Sequence, residues 1–279
     1  MEPLIISCAL TGNVASAEDN PNLPFSPEAI GKDAVQAWRA GAAIVHIHAR
    51  DDDGRPAGAA EYFARALEVV QDAEADVVIN LTTSYGGGSL DQDEELRMVP
   101  LTLHPELASY DAGSINASDH VFMNTRPYLR KLAARMKESG TKPEIEVFDT
   151  GMIETARVLA DEGLIDTPLF FQFVLGMRGG APAGVRQLQH MVDSLPPDSV
   201  WSVCAIGRAQ LPMNTLAIIM GGHARTGLED NLMYERGVHA TNAQLVERVK
   251  MIADIHGREV ATPDQARSLL GLPTGDAHV

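Results

Sequence analysis

Cysteine is nearly absent from this chain. Only Cys8 and Cys204 occur among its 279 residues, each inside an apolar, strand-like run, so both are read as reduced core residues and poor candidates for a nucleophile. Positive charge is also scarce: 22 Lys+Arg against 38 Asp+Glu give a net charge of −16. That balance argues against a nucleic-acid partner, because phosphate backbones are held by an excess of cations. No apolar run approaches the ~20 residues needed to cross a bilayer. The start, Met1-Glu2-Pro3-Leu4, has no basic segment leading into an apolar stretch, so a cytoplasmic location is expected. There is no internal repeat, low-complexity tract or Pro/Gly/Ser linker, and residues 1–279 are expected to form one domain.

Apolar residues at 45% and charged residues at 22% are near the averages of soluble globular chains, and the length suits an α/β barrel. Short β-rich runs alternate with helical periodicity, the pattern of βαβ units. Strands are expected near residues 4–10, 43–48, 76–82, 107–110, 144–149, 169–174, 199–205 and 216–220. Ser26-Pro27-Glu28 is a helix start, and Ile30, Ala34, Val35 and Trp38 follow at helical spacing until Gly41. Leu245, Val246, Val249, Ile252 and Ala253 mark another helix, ended by Gly257. Thr262-Pro263-Asp264-Gln265 is a capping box that begins a short C-terminal helical extension. This alternation fits both a doubly wound sheet and a closed (β/α)8 (TIM) barrel, and the gathering of polar residues at strand ends favours the barrel.

Those strand ends carry the chemistry. His46 and His48 close the second strand, and residues i and i+2 of a strand share a face, so both imidazoles can reach one ion. The bare spacing also fits one core and one surface histidine. The polar loop that follows, Ala49-Arg50-Asp51-Asp52-Asp53-Gly54, favours metal. Two imidazoles and a carboxylate form a three-ligand site of the kind catalytic zinc uses, with Glu229 as the third ligand. Thr82, Ser109, Glu146 and Asp149 end other strands, and Arg225 and Glu229-Asp230-Asn231 are expected after the eighth. Gly86-Gly87-Gly88 and Gly179-Gly180 read equally as anion-approach points or as turns. Arg178 and Arg208 read as phosphate contacts or, more simply, as solvated surface groups. His104, His120, His190, His223, His239, His256 and His278 read as structural or surface residues.

Several runs are more specific: Ala9-Leu10-Thr11-Gly12, Asn20-Pro21-Asn22-Leu23-Pro24, His46-Ile47-His48-Ala49-Arg50-Asp51, Pro105-Glu106-Leu107-Ala108, Glu144-Ile145-Glu146-Val147-Phe148-Asp149, Gln172-Phe173-Val174-Leu175-Gly176, and Gly221 through Asn231. In order and along nearly the whole chain, these resemble the β-keto acid cleavage enzymes. The resemblance implies a zinc-dependent (β/α)8 homo-oligomer, usually a tetramer, that converts a β-keto acid and acetyl-CoA into acetoacetate and a new acyl-CoA. It implies His46, His48 and Glu229 as zinc ligands, Thr82 and Ser109 as substrate-binding groups with Glu146 beside them, and Asp230 as the base, paired with Arg225. Members acting on an amino-bearing keto acid resemble one another in placing an acid in the loop after the first strand. Val14 stands at the matching position here, so a substrate ammonium would lack its partner, at an expected cost of several kcal/mol. Glu18 or Asp19 is the alternative acid.

Two other readings remain at this point. A metal-dependent amidohydrolase also places His-x-His at a barrel strand end, but generally needs further histidines from later strands. A non-catalytic barrel with a structural zinc would usually need a fourth protein ligand, often cysteine.

Overall fold

A computed structural model describes residues 1–85, 93–117 and 120–274. Gly86-Gly87-Gly88 and His278 lie outside the described residues. Four strands come first: β1 (Ile6–Ala9), β2 (Ile44–Ile47), β3 (Val78–Leu81) and β4 (Leu107–Asp111). A small antiparallel pair follows, β5 (Ile115–Ala117) with β6 (His120–Phe122). Next are β7 (Lys142–Val147), β8 (Phe170–Leu175), β9 (Val200–Ala205) and β10 (His223–Thr226), and then the pair β11 (Met233–Glu235) and β12 (Val238–His239). The eight longer-range partners close into a barrel in the order β1-β10-β9-β8-β7-β4-β3-β2, and all of its ladders are parallel.

The first helix, α1 (Pro27–Ala40), begins where Ser26 Oγ accepts from the Ala29 amide and ends at Gly41, whose φ is 119°. The others on the barrel's outside include α2 (Ala60–Asp72), α3 (Glu94–Met98), α4 (Arg126–Ser139), α5 (Thr150–Asp161), α6 (Val185–Asp193), α7 (Gln210–Ile219) and α8 (Asn242–Ile255). Among the described residues no helix is long and apolar enough to cross a membrane.

Alternation along each strand sorts the side chains into two sets. Val45 and Ile47, Ile145 and Val147, and Phe171 and Phe173 join the layer between barrel and helices. The opposite positions face the barrel interior, which is apolar only at its N-terminal end. There Ile5, Ile44, Val78, Leu107 and Phe170 pack with Ala266, Leu270 and Leu272. The last helix, α9 (Pro263–Leu270), therefore plugs that mouth. Its Arg267, 2% exposed, is held by Glu106 at 2.6 Å and Asp76 at 2.7 Å. With one end sealed, chemistry is left to the C-terminal end of the strands.

One strand differs from expectation. Residues 216–220 lie in and just after α7, and the eighth barrel strand is β10, a few residues later. The apolar run Leu216 to Met220 belongs to a helical face: Gln210, Met213, Asn214, Ala217 and Ile218 are buried at steps of three and four. Short apolar runs do not distinguish helix from strand by period. The true strand, His-Ala-Arg-Thr, carries Arg225 on it rather than after it.

Candidate active site

His46, in β2, and His48, just beyond it, project to the same side of the strand, 1% and 5% exposed. Their rings meet edge-on with centroids 5.0 Å apart. Glu229 comes to them from the turn after β10: His46 Nε2 lies 3.7 Å from Oε2 and His48 Nε2 lies 3.5 Å from Oε1. Gly227 allows this approach. At φ +130° it packs against β1, where an added Cβ would lie 2.1 Å from the Ala9 carbonyl oxygen, and the Glu229 amide then donates to that same oxygen.

The donor set fits a divalent metal. One ligand atom from each of the three residues lies within 4.8 Å of the others, and tetrahedral zinc, with bonds near 2.1 Å, needs ligand atoms about 3.4 Å apart. Burial pushes the His46 imidazole down to about 3, so it is neutral and offers a lone pair. Burial alone would raise the Glu229 carboxyl, but His48, Arg225 and His46 outweigh it and hold it well below the ordinary range. Glu229 Oε2 is buried and bonded to no protein group. Two imidazoles and one carboxylate leave further coordination positions for a substrate.

Arg225 knits the other acids to this group. Its guanidinium, 3% exposed, donates to Glu146 Oε1 at 3.0 Å, Glu229 Oε1 at 2.6 Å and both oxygens of Asp230, at 3.0 and 3.1 Å. Burial nevertheless pushes the Asp230 and Glu146 carboxyls above their usual range, against the pull of Arg225. Both therefore bind a proton more readily than their surface counterparts.

A model of the β-keto acid cleavage enzymes matches residues 3–272. The chain belongs to that family. Among relatives of the enzyme, 3-keto-5-aminohexanoate cleavage enzyme from Acetoanaerobium sticklandii is 43% identical, over 98% of this chain and 99% of its own. A 3-oxoadipate:acetyl-CoA acetyltransferase from Cupriavidus necator is 39% identical over 98% and 96%. The apo structure of ObcA shares the barrel fold at 23% identity and a TM-score of 0.80, over 91% of this chain and 66% of that one.

Around the triad of this β-keto acid cleavage enzyme, the remaining expected residues fall into place to different degrees. Thr82, just past β3, and Ser109, in the middle of β4 rather than at its end, are both buried. Their hydroxyl oxygens accept from the Ser84 and Thr83 amides at 3.0 and 2.9 Å, which leaves each O–H as a donor. Val14 stands apart from the cluster, 97% exposed, in the loop after β1. Arg50 braces that loop through Thr11 Oγ1 and the Gly12 and Ala15 carbonyls, and Asn13 ties it to the Ser84 carbonyl at 3.0 Å.

Asp149 caps α5, and His223 accepts from the Ile5 amide inside the barrel, so both serve the fold. Gly179 lies against the Asn116 carbonyl, where a Cβ would sit 1.7 Å from the oxygen, so close packing accounts for it. Arg178 and Arg208 are exposed.

Sequence reasoning missed four neighbours. Asp111 ends β4 and accepts from Ser84 Oγ at 2.5 Å, and it faces Glu146 across the ladder. Cys204, assigned only to the core, is buried, and the charge of Asp230 adds to the burial that pushes its thiol up. Asn80 and Glu144 are bonded to each other inside the barrel at 2.6 Å. Inward alternation would have flagged Asp111, Asn80 and Glu144 had the strand register been known.

Proposed function

We propose that this protein is a zinc-dependent β-keto acid cleavage enzyme that uses acetyl-CoA as co-substrate, releasing acetoacetate and a new acyl-CoA. The observation that carries the reading is the three-ligand cluster His46, His48 and Glu229 standing beside the Arg225–Asp230 pair in a chain of this family. Relatives named as acting with acetyl-CoA support the co-substrate. The amidohydrolase reading has nothing in its favour: among the described residues no further histidine joins the triad. For a structural zinc, the triad lacks the usual fourth protein ligand.

His46, His48 and Glu229 would hold the ion. When bound, zinc supplies a Lewis acid that polarises the keto and carboxylate oxygens of the substrate. Asp230 takes a proton from the carbon between them, held in place by the two bonds from Arg225, which stays charged throughout. That carbon attacks the acetyl-CoA carbonyl, a carbon–carbon bond forms, and the CoA thiolate leaves. The thiolate then attacks the original keto carbon. The bond from that carbon to the α-carbon breaks, Asp230 returns its proton to the α-carbon, and acetoacetate and the acyl-CoA depart. Thr82 and Ser109 donate their free hydroxyl protons to developing oxyanions or to the carboxylate. Glu146, which accepts from Arg225 at 3.0 Å, helps hold the guanidinium in place beside Asp230. The family resemblance further supports a homotetramer, and the unbroken composition of the chain and its lack of a long apolar run support one catalytic domain in a cytoplasmic setting. Light scattering at four times the 30.0 kDa chain would establish the assembly.

Substrate choice follows from the loop after β1. Val14 offers no charge to a substrate ammonium, and the nearest acids do not replace one simply. Asp19 is tied to the Ser16 amide and hydroxyl at 2.8 and 2.7 Å. Because Val14 is 97% exposed, water screens the missing partner and the penalty falls below the several kcal/mol of a buried site. A buried methylene contributes roughly 0.8 kcal/mol, so a preference of about fourfold for a neutral keto acid is expected. A screen of β-keto acids with acetyl-CoA, read as acyl-CoA by mass, tests reaction and substrate together. A higher kcat/KM for 3-keto-5-aminohexanoate than for 3-ketohexanoate would reverse the assignment of Val14, and the absence of any acyl-CoA product would reverse the function.

A further inference from the structure

Beneath the ligands the barrel interior stays polar where such interiors are commonly filled with branched apolar residues. Ser7, Asn80, Glu144, Gln172 and Ser202 are all 0–1% exposed. One connected pair among them reaches a proposed metal ligand. Asn80 in β3 and His46 in β2 are direct partners across the parallel ladder. Across the interior, Asn80 Nδ2 donates to Glu144 Oε2 at 2.6 Å, although β4 lies between their strands.

We propose that Asn80 and Glu144 are positioning residues that lock the tautomer and orientation of His46. The proposal rests on the reading of His46 as a metal ligand.

A carboxylate oxygen only accepts, so Glu144 fixes which end of the Asn80 amide faces it: the NH2. Oδ1 is left on the other side with no hydrogen-bond partner, and His46 Nδ1 is likewise buried and unpartnered. Asn80 and His46 are register partners on the inward face of β3 and β2, so these two unpartnered atoms are the ones left to satisfy each other. An amide oxygen only accepts, so the hydrogen of the neutral imidazole must sit on Nδ1. The lone pair is then on Nε2, the atom that faces Glu229 at 3.7 Å.

The reversed amide would present NH2 to Nδ1, place the hydrogen on Nε2 and close that atom to a metal. Burial lifts the Glu144 carboxyl to about 7, but Oε1 has no partner and can take the proton. The bond from Asn80 to Oε2 therefore survives in either state. Histidine ligands commonly donate their second nitrogen to such a partner, and losing it costs 10–100-fold in metal affinity or activity.

The test uses the full chain and two readouts. Zinc affinity is measured by chelator competition, and the His46 tautomer is read in metal-free protein by long-range 1H–15N correlation, assigned with His46→Gln. Asn80→Leu should weaken zinc about 10–100-fold and lose the Nδ1–H form. Glu144→Leu should do the same to a smaller extent, with no added effect in the Asn80→Leu background. Glu144→Gln, which keeps an oxygen for the Asn80 amide, should restore the wild-type values. If Asn80→Leu does not fold, the Glu144 pair decides by the same readouts. Unchanged zinc affinity and tautomer in Asn80→Leu, or in Glu144→Leu, would overturn the proposal. Failure of the metal reading is distinguishable, because wild-type protein would then bind no zinc at all while its His46 tautomer was still readable.

Discussion

Substitution of His48 by alanine is expected to remove metal and turnover together. Wild-type protein should carry about one zinc per chain after dialysis, while His48→Ala keeps only one imidazole and one carboxylate and should retain almost none. Two features make the effect large. Glu229 Oε1 is already engaged by Arg225 at 2.6 Å, so the carboxylate does not readily supply a second bond in place of the imidazole. Nor does any other His or Cys among the described residues stand in the cluster to replace it. Metal analysis giving the same zinc content in the variant would reject the ligand assignment, whatever the activity.

Asp230→Asn should behave oppositely, keeping the metal while kcat falls by about 10² or more, the usual scale for a general base. The amide is nearly isosteric and still offers an oxygen to Arg225, but it cannot take a proton. A pH profile adds an independent check. Burial raises the Asp230 carboxyl above its ordinary 3.8, and the base works only when deprotonated. The rising limb of kcat/KM should therefore lie above the normal aspartate range in the wild type and be absent from the variant. A near-normal kcat in Asp230→Asn would assign the proton to another group, with Glu146 the nearest alternative through their shared Arg225.

The sequence made much of this legible, for physical reasons that also mark where it failed. His46 and His48 could be read because strand alternation puts i and i+2 on one face, and the ligand turn could be read because Arg225 through Asn231 are contiguous. Helix ends were readable where capping is local, as at Ser26 and Thr262. The eighth strand was not readable. Three of its four residues are polar, Arg225 because it serves the site, and the apolar run just before it imitates a strand while packing as a helix. Contacts that depend on register were also hidden: Asn80 meets Glu144 across 64 residues of chain, and Asp111 faces Glu146 only through the pairing of β4 with β7. The exposure of Val14 is likewise a property of how the loop is braced by Arg50, which spacing alone does not reveal.

The central claim, acetyl transfer from CoA to the α-carbon of a β-keto acid, is tested most directly by following the acetyl carbons. The protein would be incubated with 3-ketohexanoate and acetyl-CoA carrying 13C in both acetyl positions, and both products read by mass spectrometry. The proposed chemistry predicts acetoacetate bearing both labelled carbons, at positions 3 and 4, and an unlabelled butanoyl-CoA. Label in the new acyl-CoA, or breakdown of the keto acid without any acyl-CoA, would contradict it.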